Sequence, residues 1–189
     1  MKQRDHRALA HDLLRYAGER GVWRYARNRH AFVLGCVSPD YLPATYLRGF
    51  GRSHAMRGHN AIYSAGHIKQ LIARLQEREI CTLRDCYALG LLMHYLADSF
   101  THAHNEAFVG DMRAHRLYEN CLHQHFTRYL RRLALCDVPE HLGALTADAH
   151  WYRVRRRYEE DEEGFERDCR AIVDVCRSVL RALLRVSKR

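Results

Sequence analysis

The segment from Tyr87 to Phe126 constrains the fold more than any other part of the sequence. Five of its residues are of types that bind metal ions, in the order HxxxD, H and HxxxE: His94, Asp98, His104, His115 and Glu119. Residues four apart lie on one face of a helix, so each motif can place an imidazole and a carboxylate on one ion. Apolar residues at helical spacing surround the first motif and predict a buried helix. Because a buried aspartate is rare unless it is paired or bound to metal, this segment predicts a metal site in a helical core.

The hydrophobic pattern predicts helices along most of the chain. Apolar residues recur at helical spacing, and no useful length of sequence alternates with period two. The predicted helices cover residues 5–18, 22–36, 61–77, 83–98, 112–134 and 163–187, with Thr82 as the N-cap of the fourth. Pro39 and Pro43 predict an extended or turning backbone around Asp40. We therefore expect an all-α, single-domain multi-helix bundle over residues 1–189, with a metal cluster in the helical core.

Candidate ligands also occur outside this segment. They are His11 in the first predicted helix, Asp40, and one of two histidines in a glycine-rich stretch, His54 or His59. The spacing favours His54, whereas His59 can instead cap the next helix or lie behind a ligand. The donors are nitrogen and oxygen only, which is typical of zinc and less so of iron or manganese. Seven or eight ligands are too many for one tetrahedral ion, so we expect two or three ions that share carboxylates.

The charge of the chain indicates anionic partners. Its 31 basic and 22 acidic side chains give a formal charge of +9. This excess favours association with nucleic acid, phospholipid head groups or phosphate esters, but it does not specify a reaction. The first residues, MKQRDHRALAHDLL, have no apolar core long enough for a signal peptide, and no segment approaches membrane-spanning length. The sequence therefore predicts a cytoplasmic protein without a transmembrane segment.

The order and spacing of the candidate ligands resemble the zinc-dependent phospholipase C family, whose fold and three-zinc cluster are shared with single-strand-specific nucleases. The resemblance depends on four features: HYLAD, His104 six residues after Asp98, HRLYEN, and PDY with His54 fourteen residues after Asp40. It covers roughly residues 5–126 and the final helix. It implies an all-helical fold, two or three zinc ions and hydrolysis of a phosphodiester, most directly in a phospholipid.

The resemblance also implies a role for each candidate residue. One zinc ion would be bound by Asp40, His54, His94 and Asp98, a second by His104, His115 and Glu119, and a third by Asp98 and His11. In the family, the amino and carbonyl groups of an N-terminal tryptophan complete the third site, and this sequence has Met1 there. Tyr41 lies where the choline-type enzymes have a head-group tyrosine. We expect Asp40 also to orient or deprotonate the attacking water.

Two alternatives remain at this point. The first is a nuclease or nucleotide phosphodiesterase that uses the same zinc cluster, with which the positive charge is compatible. The second is a non-catalytic helical module in which zinc only stabilises the bundle. The first would hydrolyse nucleic acid rather than lipid. The second would bind zinc with no open coordination position and would hydrolyse no phosphodiester.

Overall fold

The protein is an all-α bundle, as the sequence predicts. The computed structural model describes residues 1–41, 61–105, 108–134 and 145–186. Within these ranges it contains seven α-helices and no strands: α1 (Gln3–Ala17), α2 (Ala26–Tyr41), α3 (Ala61–Gln76), α4 (Leu83–Ser99), α5 (Met112–Leu133), α6 (Ala147–Glu160) and α7 (Phe165–Val186). Short 3₁₀ turns occur at Gly21–Arg24 and His102–His104. Over the same residues, no helix has both the length and the apolar composition that crossing a bilayer requires.

The helix α4 lies at the centre of the bundle, in contact with α1, α2, α3 and α7. Its predicted N-cap is confirmed, because the Thr82 side chain accepts a hydrogen bond from the Asp85 backbone and the Asp85 side chain accepts one from the Thr82 backbone. Two glycines allow α2 and α4 to approach closely. A Cβ atom at Gly35 would lie 2.2 Å from the carbonyl oxygen of Tyr87, and one at Gly90 would lie 2.2 Å from that of Phe32. This close crossing brings the end of α2 beside the first metal-binding motif.

The end of α2 differs from the sequence-based expectation. The helix continues through Pro39 to Tyr41, so Asp40 lies in the last helical turn rather than in an extended segment. The residues Gly35–Pro39 are all buried, and the hydroxyl groups of Ser38 and Tyr87 lie 2.8 Å apart. Packing against α4 therefore offsets the loss of one backbone hydrogen bond at Pro39.

The helix α6 was not predicted from the sequence. Thr146 caps it, and its buried residues recur at helical spacing against α7: Ala147, His150, Trp151, Val154 and Tyr158. The three consecutive arginines at 155–157 lie within this helix. The last predicted helix is confirmed as α7, and its apolar residues from Ile172 to Leu183 are buried.

Candidate metal centre

The first group of candidate ligands is buried between α1 and α4. It consists of His6, His94 and Asp98, whose ligand atoms all lie within 4.8 Å of one another. Asp98 Oδ1 is 3.2 Å from His6 Nε2, and Asp98 Oδ2 is 3.4 Å from His94 Nε2. The two imidazole rings are stacked with their centroids 4.0 Å apart. We call these three residues the first ligand set.

The orientation of His94 is fixed from the other side of its ring. His94 Nδ1 donates a hydrogen bond of 2.9 Å to the carbonyl oxygen of Cys36 on α2. Because Nδ1 then carries the proton, Nε2 has the lone pair that a metal ion needs, and it is Nε2 that lies beside Asp98. The close α2–α4 crossing at Gly35 and Gly90 therefore sets both the position and the tautomer of this ligand.

The first helix contributes His6 to this group and not His11. His6 is fully buried, whereas His11 is exposed on the opposite face of α1. The structure therefore does not bring His11 to the site, and it gives no support to its predicted role. Burial, and then the neighbouring His94, lower the pKa of His6 to about 3. At neutral pH this imidazole is uncharged, which is the form that binds a metal ion.

The second group of candidate ligands consists of His104, His115 and Glu119, again within 4.8 Å of one another. We call it the second ligand set. His104 comes from the 3₁₀ turn, and the other two are the HxxxE motif on α5. Glu119 Oε1 lies 3.5 Å from His104 Nε2 and 3.4 Å from His115 Nε2. The prediction that both motifs place an imidazole and a carboxylate together is therefore confirmed.

The two sets meet at Asp98 and at the amino group of Met1. His104 Nδ1 is 3.8 Å from Asp98 Oδ2, across the boundary between the sets. The Met1 nitrogen lies 2.8 Å from Asp98 Oδ1 and 3.2 Å from Glu119 Oε1. Burial alone would lower the pKa of this amino group, but the two carboxylates raise it to about 10. A positive charge is thus stabilised where the two sets meet.

The carboxylates of the centre are held in the charged state that a metal ligand requires. Burial alone would raise the pKa of Asp98, but the Met1 ammonium group and His104 hold it well below its usual range. Burial likewise opposes the charge on Glu119, yet hydrogen bonds from His104 and His115 lower its pKa strongly. Imidazoles and carboxylates converge here in the donor combination that zinc prefers. The residues present therefore fit zinc.

The remaining predicted site residues lie at the edge of this centre or outside the described residues. Asp40 Oδ1 is 3.9 Å from His94 Nε2, so Asp40 borders the first ligand set from the end of α2. Tyr41, the next residue, is 58% exposed. His54 and His59 lie outside the residues that the structure describes, and their alternative roles stay predictions.

Comparison with known proteins agrees with this geometry. The chain matches the family model for zinc dependent phospholipase C over residues 5–183, which is nearly its whole length. No curated protein and no solved structure matches the chain. The matched range includes every ligand of the two sets, together with α6 and most of α7. The chain therefore belongs to the zinc-dependent phospholipase C family.

Proposed function

We propose that this protein is a zinc-dependent hydrolase that cleaves the phosphodiester bond of a phospholipid. The observation that carries the proposal is the convergence of the two ligand sets on Asp98, which gives adjacent sites the opportunity to share one carboxylate. Membership of the family supports the lipid substrate. The formal charge of +9 is consistent with an anionic substrate of this kind.

The residues of the two sets have distinct roles in this proposal. The first set, with Asp40 at its edge, would hold one zinc ion, and the second set would hold another. Bound zinc lowers the pKa of a coordinated water toward neutrality and neutralises charge that develops on the phosphate. Cys36 keeps His94 in the tautomer that binds metal. Asp40, which is less deeply buried than His94, orients the attacking water or accepts its proton.

The first experiment measures the zinc content and the activity of the same preparation. The protein is purified without chelator, its zinc is measured by elemental analysis, and it is assayed on phospholipid vesicles and on single-stranded DNA. Two or three zinc ions per chain with release of phosphorylated head groups would support the proposal. Hydrolysis of the DNA alone would favour the nuclease, and zinc without any hydrolysis would favour the structural module.

Asp40→Asn separates catalysis from stabilisation by zinc. This change keeps the size of the side chain but removes its charge, so we expect turnover to fall by at least about 100-fold, with little effect on thermal stability. Asp148→Asn, in the first turn of α6, is the matched control. Equal activity of the two variants would contradict the role of Asp40.

A further inference from the structure

A buried polar cluster lies behind the second ligand set, centred on Asp168 of α7. The Asp168 side chain is fully buried. It accepts hydrogen bonds from the backbone N–H of His102 at 2.8 Å, from the hydroxyl of Tyr158 at 2.8 Å and from the hydroxyl of Tyr118. A buried side chain that accepts three hydrogen bonds is a directional anchor, because its removal would leave each of those buried donors unpaired.

Two of these donors lie within two residues of ligands of the second set. His102 begins the 3₁₀ turn that supplies His104. Tyr118 immediately precedes Glu119 on α5. The same oxygen, Oδ2, accepts from both donors. One carboxylate on α7 therefore contacts both of the chain segments that supply this set.

The third donor extends the same anchor. The Tyr158 hydroxyl accepts hydrogen bonds of 3.2 Å from Asn105 Nδ2 and from Arg167 Nη2. Asn105 is the residue that follows His104, so the turn is held on both sides of the ligand. The guanidinium carbon of Arg167 lies 4.1 Å from the centroid of the Tyr158 ring, which restricts that ring in turn.

We propose that Asp168 is a positioning residue for the second ligand set. It holds the 3₁₀ turn against α5, so that His104 and Glu119 lie at the separation one ion needs. The proposal rests on the zinc centre proposed above. Groups that orient metal ligands from behind commonly change metal affinity by about 10- to 100-fold when they are removed.

The proposal predicts an effect on one ligand set and not on the other. Asp168 contacts the segments of the second set, whereas the first set is fixed by α1, α4 and the carbonyl oxygen of Cys36. A residue that only stabilised the bundle would weaken zinc binding at both sets alike. The ratio between the two affinities therefore distinguishes positioning from general stability.

The test measures zinc affinity by competition with a chromogenic chelator, in two backgrounds that each retain one intact set. In His6→Ala protein the second set remains, and we expect Asp168→Asn to weaken its zinc affinity by at least about tenfold. In His115→Ala protein the first set remains, and we expect Asp168→Asn to change its affinity by less than about twofold. Equal weakening in both backgrounds would overturn the proposal.

A control variant distinguishes the general effect of losing a buried carboxylate from the specific effect of losing Asp168. Asp12 is also buried and pairs with Arg177 of α7 through both of its oxygens, but it contacts neither segment of the second set. We expect Asp12→Asn to lower the melting temperature without changing the ratio of the two zinc affinities. An equal change in that ratio for Asp12→Asn and Asp168→Asn would show that Asp168 has no specific role.

A second variant keeps the test decisive if Asp168→Asn does not fold. Tyr118→Phe removes only one donor from the cluster, and we expect a smaller weakening at the second set alone. Tyr152→Phe is its control, because the Tyr152 side chain is 54% exposed and lies outside the cluster. No difference between these two variants would contradict the proposal. Wild-type protein that takes up no zinc would instead overturn the proposed function, before any variant is compared.

Discussion

The two ligand sets have the same chemistry but are built in different ways. The side chains of His6 and His94 are fully buried, whereas those of His115 and Glu119 are 26% and 16% exposed. The first set is formed where three helices pack closely, and a single hydrogen bond to a backbone carbonyl oxygen orients His94 within that packing. The second set depends on a short turn and the first turns of α5, which polar groups on neighbouring helices hold in place.

This difference shows that apolar packing and directional hydrogen bonds are two separate means of arranging metal ligands. Packing fixes side chains without specifying a partner atom, but added volume in a packed core is costly. Hydrogen bonds tolerate local movement, but each is lost when its donor or its acceptor is removed. Substitutions in the apolar core should therefore disturb the first set. Removal of the metal should disturb the second set more than the first.

Among single substitutions, the largest effect on stability should follow from Gly90→Ala. The added Cβ would lie 2.2 Å from the carbonyl oxygen of Phe32 and 2.9 Å from the backbone nitrogen of Cys36, so the α2–α4 crossing must open. We expect the free energy of unfolding, measured by urea denaturation, to fall by about 3 kcal/mol or more.

The matched control for this substitution is Gly66→Ala on α3. No heavy atom of the described residues lies within 4 Å of the Cβ position at Gly66. Alanine is the better helix former, so we expect an increase in stability of about 0.5–1 kcal/mol. If Gly90→Ala were as stable as this control, the close crossing would not be what fixes the first set.

Removal of zinc should affect the two sets unequally. A ligand present at about 1,000 times its Kd stabilises the folded state by about 4 kcal/mol, so chelation should lower the melting temperature clearly. Because α4 is held by apolar contacts, we expect its backbone amides to remain protected from hydrogen exchange. The amides of residues 102–105 should exchange faster. Equal acceleration in both regions, measured by mass spectrometry, would contradict the distinction.

The two histidines of α1 test which face of that helix binds metal. His6→Ala should weaken zinc binding at the first set by at least about 100-fold, which corresponds to about 2.8 kcal/mol. His11→Ala should leave the affinity unchanged, because that side chain is exposed. Chelator competition measures both. A loss of zinc from His11→Ala protein would restore the sequence-based expectation for that residue.

The smallest effect should come from the capping box at the far end of α4. Burial disfavours the charge of Asp85, but hydrogen bonds from Thr82 and the backbone of Cys81, together with Arg78, lower its pKa. A pKa that is lower in the folded state adds stability above the unfolded value of about 3.9, and this stability is lost as the pH falls.

We expect Asp85→Asn to cost about 1 kcal/mol at pH 7, as loss of a helix cap commonly does. The difference from wild type should shrink as the pH is lowered from 5 to 2 in urea denaturation experiments. Zinc affinity at pH 7 should not change, because the capping box and the ligands lie at opposite ends of α4. A zinc affinity that fell with the cap would show that the first set depends on the whole helix.

The sequence predicted those parts of the site that depend on local spacing. The motifs of α4 and α5 were identified because residues four apart share a helix face, whatever the rest of the fold does. The same argument favours His6, since it lies on the face of Leu9 and Leu13, whereas His11 points away from both. That signal was present in the sequence, but the candidate ligand predicted in this helix was His11 instead.

Other features depended on contacts that sequence spacing does not specify. Pro39 predicted a break, yet burial against α4 extended α2 to Tyr41. Asp168 is separated from Tyr118 by 50 residues, and its role depends on how α7 packs against α5. The position of the Met1 amino group between Asp98 and Glu119 is likewise a tertiary contact.

The hydrogen bond from His94 to Cys36 has a consequence for how this site can change during evolution. Its acceptor is a backbone carbonyl oxygen, which every amino acid at position 36 would supply. No side-chain substitution there can delete the acceptor, provided that the course of α2 is kept. Substitutions at position 36 therefore leave the orientation of His94 unchanged, even though the backbone of this residue fixes it. The thiol of Cys36 remains free to be exchanged for other small apolar side chains in a redesigned core.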